Sequence, residues 1–519
     1  MFKSSLLISF LAIITAFLSL INQTQIANYF GTTKDLNLFI VATSTPQLLI
    51  GLFTGALNFT LLPYILNNSH DKLTRFILLL KLKNTLLLII LPILLIGTLS
   101  TCYFFKDFIN YLTLDEKKVF FKIYSIQTIT FVTGVFTSLV YAYTNSNKNY
   151  FFQHFINLTP TFFVITIVYL LHETLGIESL AYGFLFAALI NLILSLYFIK
   201  DDWTNHIKFS SSDNHSNKFA LDYYKILFTS IVGMIAFSMF QIVDTYWLST
   251  LNSSYISHFS YIQKIIISLG AFIISGPNTI LLSKLDDNLK LNQIEELYNK
   301  LFKSIIILFF FASTISIFFF SLSENVIIFF FQKGKFTNTD TLIIIKLIPY
   351  YLIGMIFMVG VVLMYRVSLL LKKNQFSIYF GIGSFVLYNI LCKFLIILLD
   401  SNGIGFSYLI FWFFAYLFLF FFLFRNRLFT LFNHHKFLLN KLVSILIFFI
   451  FSNILFNNIE LNFNNIFLSN IMTLGIKMLI NLISFYFFVG YVFSLQDLVP
   501  FYNIIETKFK KHLNFIFNK

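Results

Sequence analysis

Fourteen long apolar stretches, separated by short polar breaks, run from the first residues of the chain almost to the last. Charge clusters and Asn, Gly and Pro breaks predict helices over residues 4–28, 36–66, 76–105, 118–145, 150–171, 178–200, 221–249, 256–283, 302–331, 341–371, 376–399, 403–424, 437–457 and 467–494. The stretch from Asn84 to Leu99 carries no charge, and a hydrocarbon layer of about 30 Å takes about 20 apolar residues to cross as a helix. The pattern predicts an all-α polytopic membrane protein with about 14 transmembrane helices. The first stretch ends in the polar run Asn22-Gln-Thr-Gln25 without a small-residue cleavage site, so it reads as a span and not as a signal peptide.

The polar segment around Ser210-Ser-Ser-Asp213 separates six predicted helices from the next six. This predicts two six-helix lobes in a V-shaped arrangement, residues 1–202 and 221–430, joined by a cytoplasmic linker over 203–220. Residues 431–519 then supply two additional helices and a basic cytoplasmic tail. A faint internal repeat supports the division. Spans 1–2 carry Asn22 and Gln25, then Gly51, Gly55 and Ala56, while spans 7–8 carry Gln241 and Asp244, then Gly270 and Gly276.

Composition sharpens the picture. Of 519 residues 58% are hydrophobic and 11% charged, against about 25% charged in a soluble domain, and mean hydropathy is +0.82. The 72 Phe beside 3 Trp point to an AT-rich genome and not to a cofactor box. A net charge of +14 would raise nucleic acid as a partner in a soluble protein. Here its distribution follows the positive-inside rule: 25 of the 36 Lys and Arg fall on one set of connections and the tails, and 7 on the opposite set. Both termini are therefore expected in the cytoplasm, with membrane lipids and no nucleic acid as partners. Cys102 and Cys392 have no ligand spacing, and neither a metal nor a cofactor is expected.

An ionisable group inside a span costs about 2.5 kcal/mol or more, so it usually faces the bundle interior or a wet cavity. Lys264, in Tyr261-Ile-Gln-Lys264-Ile, is too deep to snorkel; a functional cavity and a structural ion pair both account for it. Asp244, in Gln241-Ile-Val-Asp244, is the matching acid. Asn22, Gln23 and Gln25 close span 1 and suit either a polar ligand or a neighbouring helix. Lys346, Lys393 and Lys477 lie near predicted helix ends, where snorkelling explains them. His154 and His172 read as interfacial, and Gly51-Leu-Phe-Thr-Gly55 as a helix contact. No phosphate loop, H-E-x-x-H or nucleophile elbow is present, and the loops are too short for a nucleotide-binding domain. The chain reads as a transporter and not an enzyme.

Three stretches resemble the MurJ/MviN family of lipid II flippases, within the multidrug and oligosaccharidyl-lipid exporter group. Ile26-Ala-Asn-Tyr-Phe30-Gly31, with Phe39-Ile-Val-Ala42, Pro46-Gln47, Gly55-Ala56 and Pro63, resembles the family's opening "A-x-x-F-G … P-N-L-L-R-R-x-F-x-E-G-A". Phe330-Phe-Gln-Lys333-Gly334-Lys-Phe336-Thr337-Asn-Thr-Asp340-Thr341 resembles "L-F-E-R-G-x-F-T-x-x-D-T" and is the most specific of the three. The third runs from Val243-Asp244 through Lys264, standing where the family has arginine, to Ile280-Leu-Leu.

The resemblance implies alternating access in the bacterial cytoplasmic membrane, moving lipid II from the inner to the outer leaflet. Lys264 would meet the diphosphate, and Asn22, Gln23, Gln25, Asn37 and Asp244 would complete a substrate site. A coupling ion or the membrane potential would drive the cycle. The departures fall on that site: Ala16 and Asn22 stand where the family's first span has arginines, Ile50-Gly51 where the second has Arg-Arg, Asn37 for an aspartate and Thr54 for a glutamate. A guanidinium grips a diphosphate bidentately and an ammonium does not. A flippase for another undecaprenyl-linked glycan, an O-antigen or capsule repeat, therefore stays open, as does a degenerate family member that no longer transports.

Overall fold

The computed structural model describes residues 2–450 except 69–71, 148–155, 157, 201, 203–213, 252–254, 291–292 and 372–373, with only scattered residues beyond 425. All regular structure among the described residues is helical. We number the helices α1 (Phe2–Phe30), α2 (Lys34–Asn68), α3 (Lys72–Phe104), α4 (Lys106–Asn110), α5 (Leu114–Ser146), α6 (Leu158–Leu175), α7 (Glu178–Phe198), α8 (Asn214–Ser238), α9 (Phe240–Leu251), α10 (Tyr255–Lys290), α11 (Ile294–Phe330), α12 (Asn338–Leu370), α13 (Asn374–Leu399) and α14 (Asn402–Phe424). Eight are long and apolar enough over their described residues to cross a membrane, nine if the bent pair α8–α9 counts as one span. The first twelve predicted spans each correspond to one of these helices or to that pair. The predicted spans 437–457 and 467–494, and the basic tail with Lys477, lie outside the described residues but for isolated positions.

Three differences from the expected elements stand out. The span expected over 221–249 is two helices meeting at a 47° bend, and α8 begins at Asn214, inside the expected linker. α11 starts at Ile294, ahead of the expected 302, because its first turns are amphipathic: Leu297 and Leu301 are buried while Glu296 pairs with Lys300 at 2.7 Å. The short α4 interrupts a connection that hydropathy leaves blank.

Helix ends follow ordinary chemistry. α5 and α12 open with reciprocal capping boxes, Thr113 with Glu116 and Thr337 with Asp340. Gly31 and Gly176, which follow α1 and α6, and Gly334 in the α11–α12 turn hold φ of +57°, +53° and +58°, a conformation that side chains with a Cβ resist.

Packing falls into two groups. α1 lies on α6, α2 on α3 and α5, and α7 on α5 and α6; separately, α10 lies on α9, α11 and α12, α13 on α8 and α9, and α14 on α12 and α13. The groups meet where α2 touches α8, α9 and α10, where α1 touches α10, and where α3 touches α8. Outward faces are largely apolar, as at Leu95, Ile96 and Leu99 of α3 and Phe394, Ile397 and Leu398 of α13. Hydrocarbon as the outer solvent accounts for that surface.

Candidate functional site: the contact between the two helix groups

At one end of the bundle two glycine-cornered turns interlock. The α11–α12 turn reaches the end of α1, where the Lys335 amide donates to the Asn28 carbonyl at 3.1 Å. A Cβ on Gly31 would lie 2.8 Å from the Cβ of Lys335, and one on Gly334 would lie 3.0 Å from the Asn28 carbonyl carbon. Glycine is thus required at both corners by space as well as by φ. Around them, the Tyr261 hydroxyl donates to the Gly31 carbonyl at 2.9 Å, and its ring packs edge-on to Phe331 and Phe336.

A buried carboxylate gathers the same end. Asp340 takes the Thr337 amide and hydroxyl on one oxygen, each at 2.7 Å. On the other it takes the Thr32 hydroxyl at 2.8 Å and stands 2.8 Å from Nε2 of His258. One side chain therefore caps α12 and binds both the α1–α2 turn and α10. Nearby, Oδ1 of Asn37 accepts from the Ser257 amide at 3.0 Å, joining α2 to the start of α10.

These contacts establish how α10 is turned. Tyr261, Lys264 and Ser268 recur at helical spacing, and the Tyr261 hydroxyl reaches the α1–α2 turn, so helical phase puts Lys264 on the stripe of α10 that begins at that contact. The opposite stripe, Phe259, Gln263 and Gly270, meets the second group: Phe259 packs on Tyr351, and a Cβ on Gly270 would lie 2.6 Å from the Met358 methyl. Lys264 is partly buried, and its ammonium has no ion pair or hydrogen bond among the described residues. Asp244, 2% exposed, faces the other way. It accepts from the Tyr388 hydroxyl at 2.5 Å and from the Gln263 amide.

The three amides of α1 separate. The Gln25 side chain donates to the Ile165 carbonyl of α6 at 3.0 Å, and Tyr29 stacks on His172 of α6 at 3.7 Å. Asn22 shares that stripe, whereas Gln23 falls on the stripe that runs through Ala27 to Gly31 and the contact with Tyr261. All three keep a buried side-chain carbonyl oxygen without a hydrogen-bond partner among the described residues. Such a group costs about 1–3 kcal/mol unless a ligand or water meets it.

Other readings fare as follows. Gly51 and Gly55 are the places where α2 meets α8: a Cβ on Gly51 would lie 2.8 Å from the Ser238 hydroxyl, and one on Gly55 would run into the Met234 side chain. Lys346 and Lys393 are exposed on their helices, as snorkelling requires. His154 lies outside the described residues. His258, Gln263, Tyr261, Tyr388 and Asp340 were not singled out as site residues. Only Thr337-x-x-Asp340, a capping pattern, carried a local signal.

The architecture has known counterparts. A family model described as "Lipid II flippase MurJ" matches residues 26–475. The chain belongs to the lipid II flippase MurJ family. That family consists of transporters and not enzymes, and membership makes the chain a multi-pass membrane protein with a lipid-linked substrate class. A "Probable lipid II flippase MurJ" of Buchnera aphidicola subsp. Acyrthosiphon pisum (strain APS) is 22% identical over 420 residues, 78% of this chain and 80% of that protein. Among solved structures, "Lipid II flippase MurJ, inward closed conformation" superposes with a TM-score of 0.70 at 20% identity, covering 94% of this chain and 100% of that one. An "Outward-facing conformation of a multidrug resistance MATE family transporter of the MOP superfamily" gives 0.61 at 14%, covering 83% and 96%. The MurJ fold is therefore retained at 20% sequence identity.

Proposed function

We propose that this protein carries lipid II from the inner to the outer leaflet of the bacterial cytoplasmic membrane by alternating access. In this reading α1–α7 and α8–α14 are the two moving lobes, the segment between Phe198 and Asn214 is their linker, and 431–519 adds two helices along which the polyprenyl tail stays in lipid. Both termini are cytoplasmic, so the interlocked turns at Gly31 and Gly334 close the outer side. The observation that carries the reading is the ammonium of Lys264, without a partner among the described residues and on the stripe of α10 that starts at the contact of Tyr261 with the other lobe. A lone cation there is costly in hydrocarbon, and a diphosphate offsets that cost through charge-assisted hydrogen bonds. The unpartnered oxygens of Asn22, Gln23 and Gln25 suit hydroxyl and amide donors of the head group. Asn37 and Asp244, whose oxygens are already engaged, serve as a seal and a brace.

The membrane potential suffices as a driving force. A negative head group moves outward down an inside-negative potential, gaining about 2.3 kcal/mol per charge for each 100 mV; a coupling ion at the buried polar groups is the alternative. Depleting the protein tests the substrate: peptidoglycan loss with lipid II accumulating on the cytoplasmic face supports the reading. Loss of a surface polysaccharide with normal peptidoglycan points to another lipid-linked glycan, and absence of any phenotype to a member that no longer transports.

A further inference from the structure

Lys264 and Asp244 pose a physical question, because a buried acid next to the neighbour of a buried base would ordinarily pair with that base. They do not pair. Both carboxylate oxygens of Asp244 are taken by neutral donors: the Tyr388 hydroxyl of α13 at 2.5 Å and the side-chain amide of Gln263. Asp244 and Tyr388 are buried to 2% and 0% exposure, so water does not compete for either bond. Gln263 immediately precedes Lys264, which places the two side chains about 100° apart around α10. Turning the helix by one residue would withdraw the ammonium from the lobe contact and bring Gln263 in its place.

We infer that Gln263, Asp244 and Tyr388 form a neutral-donor brace that fixes the rotation of α10, so that the ammonium of Lys264 stays available to an anionic head group. Gln263 is thus a positioning residue, and the inference rests on Lys264 as the phosphate contact. The brace has a mechanical reason to exist. α9, which carries Asp244, follows a 47° break, so its direction is not set by continuity with α8. The bonds from Asp244 tie α9 to α10 and α13 at a single point. On the far side of α10, Tyr261 and Ser257 hold the first lobe, which leaves Lys264 between two fixed edges.

The test uses the full-length protein in proteoliposomes, reading the lipid II concentration for half-maximal flipping separately from the maximal rate. Gln263→Glu sets two carboxylates against each other beside Lys264; the half-maximal concentration is expected to rise about tenfold, the size of one lost charge-assisted bond. Adding Asp244→Asn reverses donor and acceptor: the introduced amide donates to the introduced carboxylate and still accepts from Tyr388, and the double variant is expected to regain the wild-type value. In a Lys264→Ala background, Gln263→Glu is expected to cost nothing more. Should Gln263→Glu fail to fold, Gln263→Leu removes the donor alone and supports the same comparison with Lys264→Ala.

Multiplying effects in the Lys264→Ala background, or no recovery in a folded double variant, would overturn the brace. Full activity of Lys264→Ala by itself would instead remove the phosphate assignment, whereas an impaired Lys264→Ala beside a normal Gln263 variant would remove only the brace.

Discussion

The two helix groups place similar polar residues in their opening spans and treat them in opposite ways. In α1 the side-chain oxygens of Asn22, Gln23 and Gln25 are buried and without partners among the described residues. In α9, Asp244 is equally buried and has both oxygens held, by Tyr388 and Gln263. Burial alone therefore does not distinguish a ligand-binding group from a structural one. What distinguishes them is whether hydrogen-bonding capacity is already used, because a satisfied group resists displacement and an unsatisfied one gains from a visitor. By that criterion the proposed head-group site draws on α1 and Lys264, with Asp244 proposed as scaffolding.

The contrast breaks most sharply at Lys264. Lys264→Ala should abolish complementation of a depleted strain, with flipping down about a hundredfold, the worth of a desolvated charge-assisted contact; Lys264→Arg should retain function, since a guanidinium grips phosphate at two points. If the alanine variant complements normally, the receptive side of the comparison falls. Next in size, Asp244→Ala strands a buried hydroxyl and a buried amide, and should lower stability by about 2–3 kcal/mol, read as a drop in melting temperature in detergent. An unchanged melting temperature would mean that Asp244 is not scaffolding.

Gly31→Ala adds a Cβ at positive φ and against Lys335, a cost of about 1–2 kcal/mol. It should loosen the interlocked end, measured as faster labelling of a cysteine placed at Asn28. Smallest of all, Gln25→Leu should cost about 1 kcal/mol through the loss of its bond to Ile165, while Gln23→Leu should leave stability within about 0.5 kcal/mol and weaken lipid II use. Equal stability losses in the two would show that the amides of α1 are alike after all.

Much of this was legible from local pattern. Twelve apolar stretches became helices or the bent pair because crossing hydrocarbon leaves the backbone little other choice, and Lys264 stood out because a charge amid apolar residues is conspicuous. What escaped was pairing at a distance. Thr32 and Asp340 are 308 residues apart, and nothing near either names the other. The stretches 26–31 and 330–341 could each be recognised as motifs, yet that they meet emerges only from the fold. Helical phase separated Gln23 from Asn22 and Gln25, although in sequence the three form one polar cluster. The bend between α8 and α9 has no proline to announce it, and the amphipathic start of α11 looked like a loop because hydropathy averages over the faces of a helix.

The interlocked turns have one more consequence. One of their contacts runs from the Lys335 amide to the Asn28 carbonyl, and the two corners are defined by the absence of side chains. That main-chain link, unlike the side-chain bonds around it, is blind to most codon changes. Mutational drift in a biased genome can exchange Lys335 or Asn28 for many other residues without unpicking it, provided the two glycines survive, so this clasp can outlast cavity residues whose chemistry resides in their side chains.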